Sequence, residues 1–332
     1  MAKSVSTQPK RKKGSGYFEQ RPEGAYVELA ELIAARFLAK DLKLQQRRKA
    51  LSLLAGPNKT NFRGRGIDFE EIRAYQAGDD IRTIDWRVTA RTSKPYTKLF
   101  QEERERPLLI VTDQRQPMFF GSQFCFKSVM ACHISALLAW AGLQQGDRVG
   151  GLVFGNHQHR EIKPRRSRQS ALAFIHLLEE YNGLLTKDTG PEISNKKNLR
   201  DSLQEVRRIA KPGNTIYLVS DFSDFNDQDI QKQLFLLSRH NEIVAFYIYD
   251  PLEKQLPPPG QYMVTNGQER HIINTADRLS RKAYQRQFDK NQLFLQQQMR
   301  KLGIPLIDVA TTDAPLKPLL HYYGAKHGVS HS

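Results

Sequence analysis

Short apolar runs alternate with helical patterns along the chain from residue 107 onward. Residues 108–111, 215–219 and 243–249 are mostly branched aliphatic or aromatic, as in parallel strands that are buried on both faces. Amphipathic stretches of helical period lie between these runs, the longest at residues 277–302. This rhythm predicts an α/β fold with a doubly wound, mostly parallel, Rossmann-like sheet and right-handed crossovers.

The remaining elements follow from the same two patterns. Residues 159–162 should pair with the strand at residues 149–154, and residues 262–273 should form a surface hairpin. A last strand is expected at residues 305–309, with a short helix after it. The other helices are expected at residues 26–54, 124–144, 167–181, 198–211 and 227–240.

Composition divides the chain into four regions. Residues 1–22 are polar and rich in Gly, Ser and Lys, so we expect a disordered basic tail. Residues 23–106 contain the N-terminal helix and a charged segment punctuated by glycines. Residues 107–322 form the α/β domain, and residues 323–332 form a second tail.

The 332 residues are 39% hydrophobic, which is enough for a buried core. No apolar stretch reaches the roughly 20 residues that a membrane-spanning helix needs, and the N-terminus lacks the apolar region of a secretory signal. We therefore expect a cytoplasmic protein without a transmembrane segment. The two cysteines, Cys125 and Cys132, should be buried thiols on one helix.

The formal net charge of +16 is unevenly distributed. Residues 1–65 contain 15 Lys and Arg against 5 Asp and Glu, so most of the excess lies near the N-terminus. Such a region can bind nucleic acid, anionic lipid or an acidic partner, or it can be a solvated tail. Nucleic-acid binding is the alternative function that this charge suggests, although the basic run has no interleaved aromatic residues to stack on bases.

Candidate chemistry is concentrated where two predicted strands end. Residues 108–113 and 215–221 should be parallel strands, which places Asp113 and Asp221 at the carboxyl edge of the sheet, where ligands of open α/β folds bind. Two carboxylates there can hold a cation or act as an acid/base pair, but strand-end aspartates also cap the following helices. The sequence contains no phosphate loop, calcium loop or hydrolase elbow, so we predict no cofactor and no enzymatic activity.

The segment at residues 66–91 carries charges that alternate in sign. Its apolar residues, Trp86 among them, can pack inward, while charged side chains form a paired polar layer: Arg73, Asp79, Arg82, Asp85 and Arg91. A fixed Arg/Asp layer beside a Trp is consistent with a docking surface, since Trp and Arg are favoured in binding hot spots. It is also consistent with a structural network that pins the segment to the sheet domain, because the paired charges satisfy each other.

The same segment resembles the family called domain of unknown function 58. The family order is an aromatic, Glu, Arg, Tyr, Gly-Asp, Arg, Ile-Asp-Trp and Ala-Arg, and it is matched by Phe69, Glu71, Arg73, Tyr75, Gly78, Asp79, Arg82, Ile84, Asp85, Trp86, Ala90 and Arg91. The resemblance implies a von Willebrand A-like domain that associates with MoxR-type AAA+ ATPases and with other von Willebrand A proteins. No catalytic activity is established for the family. The implied role is an adaptor in the assembly or maturation of protein complexes, with the ATP chemistry in the partner.

One departure from the von Willebrand A pattern concerns metal binding. These domains often hold a divalent ion through Asp-x-Ser-x-Ser after the first strand, whereas this chain has Asp113-Gln114-Arg115-Gln116-Pro117. Arg115 offers no lone pair and carries a permanent positive charge, so it should repel Mg²⁺ and pair with Asp113 or Asp221, unless it points to solvent. We predict that this site holds no divalent metal.

Overall fold

The computed structural model describes residues 21–44, 68–75, 84–92, 94–101, 107–186, 199–265 and 270–324. The chain divides into two compact units, one made of residues 1–58 and 107–332 and the other of residues 59–106. This division differs from the predicted one in the place of the N-terminal helix. We predicted one region of residues 23–106, but the helix belongs to the larger unit and the charged segment to the smaller one. The two predicted tails lie almost entirely outside the described residues.

The elements of the described residues follow the predicted alternation. The strands are β1 (Asp68–Ala74), β2 (Tyr96–Gln101), β3 (Leu108–Asp113), β4 (Val149–Phe154), β5 (His159–Arg165), β6 (Thr215–Ser220), β7 (Glu242–Tyr249), β8 (Gln261–Thr265), β9 (Arg270–Asn274) and β10 (Leu306–Ala310). The α-helices are α1 (Leu29–Leu38), α2 (Trp86–Thr92), α3 (Lys127–Gln144), α4 (Arg168–Gly183), α5 (Leu199–Ile209), α6 (Gln228–Ser238), α7 (Pro251–Lys254), α8 (Arg278–Lys301) and α9 (Leu316–Tyr323).

Six strands form the central sheet of the larger unit, in the order β10-β7-β6-β3-β4-β5. Neighbouring strands are parallel except at one edge, where β5 runs antiparallel to β4. The direction of winding reverses between β3 and β6, which makes this the switch point where ligands of such sheets bind. The predicted doubly wound, mostly parallel sheet is confirmed, and so is the surface hairpin, formed by β8 and β9.

Helices cover both faces of this sheet. Helices α1, α3, α4 and α9 contribute to the core on one face, and α5, α6 and α8 to the core on the other. Helix α3 is buried along nearly its whole length because α1 packs against it, and the Trp140 indole N–H donates a hydrogen bond of 2.9 Å to the Leu32 carbonyl. None of the described helices has the length and apolarity needed to cross a bilayer.

The N-terminal helix is shorter than its periodicity predicts. Helix α1 ends at Leu38, and after one 3-10 turn Leu42 becomes extended and forms a bridge with Gly324. The Lys43 N–H then donates to the Tyr323 carbonyl at 2.7 Å. Pairing with the C-terminal part of the chain therefore ends the helix, while residues 45–54 of the predicted helix lie outside the described residues.

Both cysteines are buried, as predicted, but only Cys132 lies on α3, because that helix begins two residues after Cys125. Burial, with a smaller contribution from the charge of Asp250, raises the pKa of the Cys125 thiol to about 12. Burial also raises the pKa of Cys132. Both thiols are therefore protonated and unreactive at neutral pH.

His133 on α3 makes the stability of the larger unit sensitive to acid. Its side chain is only 13% exposed, and burial lowers its pKa from 6.5 to about 4, even though the half-exposed Glu31 carboxylate lies 3.7 Å away. The unfolded chain thus binds a proton near pH 6.5 that the folded protein accepts only near pH 4. This contribution to stability is present above pH 6.5 and is lost as the pH falls toward 4.

We expect the His133→Gln variant to lose about 3 kcal/mol less stability than the wild type between pH 7 and pH 4, because the His pKa differs by roughly 2.5 between the two states. Urea unfolding at a series of pH values measures this difference. The exposed His176→Gln substitution is the matched control and should follow the wild type. Identical pH profiles for His133→Gln and the wild type would contradict the assignment.

Candidate functional site at the carboxyl edge of the sheet

The carboxyl edge of the sheet brings the two predicted aspartates together. Strand β3 ends at Asp113, and Asp221 directly follows its parallel neighbour β6, so both lie at the same edge, as predicted. The next residue, Phe222, has a φ of 49°, in the left-handed region that non-glycine residues rarely adopt. Its N–H donates to the Ser220 hydroxyl at 3.1 Å, which holds the sharp turn that follows β6.

Arg115 fills the space beside Asp113. Its Nε and Nη2 donate to the two carboxylate oxygens of Asp113 at 3.0 and 2.7 Å, while Nη1 and Nη2 donate to those of Asp224 at 2.7 and 3.2 Å. The Ser220 hydroxyl adds a bond of 2.7 Å to Asp113, and the guanidinium carbon lies 5.4 Å from the centroid of the Phe154 ring. The predicted pairing of Arg115 with Asp113 is confirmed, and the alternative in which Arg115 points to solvent is wrong.

Arg115 is a permanent cation inside the protein. Burial alone lowers the pKa of its guanidinium, but Asp113 and then Asp224 outweigh that effect, so the net shift is upward. Asp224 also accepts the Leu199 N–H at 2.9 Å, which links the ion pair to the first residue of α5. The guanidinium therefore connects the loops that follow β3 and β6 to the start of a helix.

A second internal cation, Lys127, lies beside Asp221. Its Nζ donates to Asp221 at 2.8 Å and to Glu253 at 2.7 Å, and its side chain is 2% exposed. Burial raises the pKa of Asp221, but Lys127 outweighs that effect and the net shift is downward. Burial lowers the pKa of Lys127, but Asp221 and Glu253 reverse the shift, so both partners of the buried pair are charged at neutral pH.

Each internal cation is shared between one buried and one partly exposed carboxylate. The side chains of Arg115 and Lys127 are at most 6% exposed, whereas those of Asp224 and Glu253 are 29% and 32% exposed. Solvent therefore meets acceptor oxygens at this edge, and either cation would have to break a charge-assisted pair to contact a ligand. Among the described residues no group of three or more His, Cys, Asp or Glu side chains is arranged to hold a metal ion, and the absence of a divalent metal stays a prediction.

Neither aspartate caps the helix that follows it in the chain. Asp113 accepts the Arg115 N–H at 3.0 Å and Asp221 accepts the Ser223 N–H at 3.1 Å, so each closes a local turn. The N-cap residues of the following helices are different ones, Phe126 for α3 and Asp227 for α6. The alternative hypothesis, that these aspartates cap the following helices, is therefore wrong. Loops of several residues separate β3 from α3 and β6 from α6.

The smaller unit contains the other predicted site residues. Strands β1 and β2 are antiparallel, with the backbone of Arg73 opposite Thr97. Asp85 caps α2 by accepting the N–H groups of Arg87 and Val88 at 3.0 and 3.2 Å. The predicted paired polar layer stays a prediction, because Asp79, Arg82 and the Arg73 side chain lie outside the described residues.

Trp86 does not pack inward, contrary to the prediction. It is the first residue of α2 and is 66% exposed. Arg87 and Arg91 are exposed on the same short helix, which has no buried residue. Trp86 is therefore a surface aromatic on a helix that also carries two exposed arginines, and the structural network of paired charges stays a prediction.

Comparisons with known proteins agree with the signature in this segment. The family described as "Protein of unknown function DUF58" matches residues 71–293, about two thirds of the chain. The chain belongs to this family. The uncharacterized proteins Rv1480 of Mycobacterium tuberculosis and Mb1516 of Mycobacterium bovis are each 23% identical to this DUF58 chain over 288 residues, which span 86% of it and 87% of each relative.

Two solved structures are similar to part of the DUF58 chain. BatB from Bacteroides thetaiotaomicron aligns with 65% of this chain and 96% of its own, with 14% identity and a TM-score of 0.39. An aerotolerance-related membrane protein from Bacteroides fragilis aligns with 65% of this chain and 98% of its own, with 13% identity and a TM-score of 0.38.

Sequence patterns did not single out three residues of the carboxyl-edge site in this DUF58 chain: Lys127, Asp224 and Glu253. Lys127 carries a usable signal, since it is one charged residue at the start of an otherwise apolar helix that follows a strand-end loop. Asp224 belongs to an acidic stretch whose pattern is typical of helix capping. Glu253 carries no signal, because it lies 126 residues from Lys127 and only the fold brings the two together.

Proposed function

We propose that this chain is a cytoplasmic, non-catalytic adaptor that binds a MoxR-type AAA+ ATPase and assists the assembly or maturation of protein complexes. The observation that carries the proposal is the 66% exposure of Trp86. A large aromatic side chain that water surrounds gains free energy when a partner covers it. Together with Arg87 and Arg91, Trp86 provides the residue types that dominate binding hot spots.

The backbone around Trp86 is fixed, which favours binding. The Asp85 N–H donates to the Tyr96 carbonyl at 2.8 Å, and the Tyr96 N–H donates to the Thr89 hydroxyl at 3.1 Å. These bonds hold both ends of the first helical turn against β2. A partner therefore does not have to order this segment when it binds, and less of the interaction energy is lost to conformational entropy.

The carboxyl edge of the sheet supports an adaptor that needs no metal or cofactor of its own. Arg115 and Lys127 each neutralise a buried aspartate that would otherwise attract a cation. The strand order and the antiparallel edge strand β5 support a von Willebrand A-like domain as part of the proposal. The proposal also includes other von Willebrand A proteins as a second class of partner.

We expect Trp86→Ala to raise the Kd for the purified MoxR-type ATPase of the same cells at least about 30-fold, since truncation of a hot-spot Trp costs about 2 kcal/mol or more. Biolayer interferometry measures the Kd. The free energy of unfolding should change by less than about 0.5 kcal/mol, because the side chain is exposed.

The matched control is Phe37→Ala, which removes another exposed aromatic side chain, 57% exposed, from the larger unit. It should leave the Kd unchanged. Wild-type binding should weaken only modestly between 50 and 200 mM salt, because phosphate neutralisation is what makes affinity fall steeply with salt. Loss of ATPase binding in both variants, or in neither, would contradict the proposal.

A further inference from the structure

The edge of the central sheet opposite the carboxyl edge is lined by basic residues. We define this basic edge by six exposed side chains at the junctions between elements: Arg148, Arg165, Arg168, Lys211, Arg239 and Lys301. Within the described ranges, none of the six forms an ion pair with a carboxylate. Their charges are therefore available to solvent or to a partner.

The topology places these residues on one side of the molecule. Arg148 directly precedes β4, and Arg165 ends β5 opposite Val149, the first residue of β4. Arg168 begins α4 three residues later. Helices α5, α6 and α8 return from the carboxyl edge to the starts of β6, β7 and β10, which brings their C-terminal junctions, with Lys211, Arg239 and Lys301, to the same edge.

The carboxylates at these junctions are few and partly hidden. Among the described junctions they are Asp41, Asp147 and Glu242, of which Asp147 is 1% exposed and Glu242 is half-buried. At the carboxyl edge the partly exposed carboxylates of Asp224 and Glu253 face solvent, and the cations paired with them, Arg115 and Lys127, are buried. The six exposed cations therefore outnumber the carboxylates at the described junctions, which favours a positive potential at the basic edge.

Two exposed phenylalanines flank the basic edge. Phe37, 57% exposed, lies in the last turn of α1, and Phe235, 49% exposed, lies in the last turn of α6 on the other face of the sheet. The Arg36 guanidinium carbon is 4.5 Å and the Lys40 Nζ is 6.0 Å from the centroid of the Phe37 ring. An exposed phenylalanine side chain thus lies near cations on each face of the sheet at the basic edge.

We propose that the basic edge binds the surface of an anionic phospholipid bilayer. Its cations come from both helical layers and from the sheet between them, so they cover a broad face and do not follow a single groove. A broad face of cations suits a planar anionic surface better than a narrow groove does, and each cation near an anionic leaflet is attracted individually. Phe37 and Phe235 supply the apolar side chains that interfacial proteins insert at the headgroup level, while long Lys and Arg side chains keep their charge in water.

The test is sedimentation of the full-length protein with vesicles of phosphatidylcholine that contain about 30% phosphatidylglycerol, an anionic surface comparable to a cytoplasmic leaflet. We expect Arg165→Glu/Arg168→Glu to lower the vesicle partition coefficient at least about tenfold, since four units of charge are changed next to the bilayer. Phe37→Ala/Phe235→Ala should lower it several-fold. Vesicles of phosphatidylcholine alone should bind little of any variant.

The matched control is Arg278→Glu/Lys282→Glu, which reverses two exposed cations one turn apart at the opposite end of α8. It changes the net charge by the same amount and leaves the N-terminal basic residues intact, so it should bind vesicles like the wild type. Lys211→Glu/Arg239→Glu is a second basic-edge variant in case the first does not fold. ATPase binding should be unaffected in all of them, which separates this proposal from the proposed function.

Three results would overturn the proposal. One is an equal loss of vesicle binding in the basic-edge and control variants, which would show attraction by net charge alone. Another is no preference for anionic vesicles. The third is weak vesicle binding together with tight, salt-sensitive binding of a DNA duplex that Arg165→Glu/Arg168→Glu abolishes, which would assign the basic edge to nucleic acid.

Discussion

Replacement of Arg115 by methionine should lower the free energy of unfolding by about 3–5 kcal/mol, because removal of one member of a buried ion pair leaves an uncompensated charge in the protein interior. Asp113 is fully buried, and its remaining hydrogen bonds come from the Ser220 hydroxyl and the Arg115 backbone. Those two neutral donors are weaker than the guanidinium that is removed. Urea unfolding of the purified variant measures the loss.

The matched control for this prediction is Arg160→Met. Arg160 also donates two hydrogen bonds to one carboxylate, that of Glu180, but the two side chains are 57% and 50% exposed. Exposed pairs of this kind contribute about 1 kcal/mol or less, so Arg160→Met should cost far less than Arg115→Met. Equal costs would contradict the assignment of Arg115 as an internal counter-ion.

Titration calorimetry with Mg²⁺ and Mn²⁺ tests the same site for metal. The wild type should show no saturable binding in the millimolar range, because the Arg115 guanidinium already neutralises Asp113. Saturable binding that is lost in Asp113→Ala would show that inference to be wrong.

Replacement of Lys127 by methionine should also cost about 3–5 kcal/mol, since it removes the cation that Asp221 shares with Glu253. The side chains of Lys127 and Asp221 are 2% and 5% exposed, so water cannot take the place of the ammonium group. The double variant Lys127→Met/Asp221→Asn should recover part of the loss, because it removes the buried charge together with its partner. A thermodynamic cycle over the four proteins measures the coupling.

The pH dependence gives an independent readout of the Lys127 pair. Lys127 holds the pKa of Asp221 below its ordinary value of 3.8, so in the wild type this pair stabilises the fold above pH 3.8 and the contribution is lost as the pH falls below it. In Lys127→Met the buried carboxylate is uncompensated, and protonation should relieve it. The difference in stability between wild type and variant should therefore shrink on acidification from pH 7 to pH 4, and a constant difference would contradict the pairing.

Local sequence patterns predict the strands and helices of this protein well, because the burial of one face or of a whole element requires apolar residues at neighbouring, regularly spaced positions. All six residues of β3 are buried, so the apolar run alone is enough to predict a strand at residues 108–113. Helix α8 begins one residue after Asp277, whose carboxylate accepts the N–H groups of Leu279 and Ser280. Helix α1 shows the limit of such patterns, since its end is set by Leu42 pairing with Gly324.

Surface exposure was the least predictable feature. The same apolar side chain can pack inward in one arrangement and face solvent in another, and Trp86 faces solvent with 66% exposure. The basic edge was equally hard to predict from the sequence. Its cations are scattered from Arg148 to Lys301, and only the return of the helices to one side of the sheet brings them together.

The sequence by itself determined the order of strands and helices, and through that order it placed Asp113 and Asp221 at one edge of a parallel sheet. It also determined that a cation follows Asp113 two residues later. Only the tertiary structure decided how the charges are shared, since Arg115 reaches Asp224 across 109 residues of sequence and Lys127 reaches Glu253 across 126. Hydrophobic periodicity is set by burial over a few residues, whereas an ion pair requires two atoms within a few ångströms on elements whose relative positions no local pattern records.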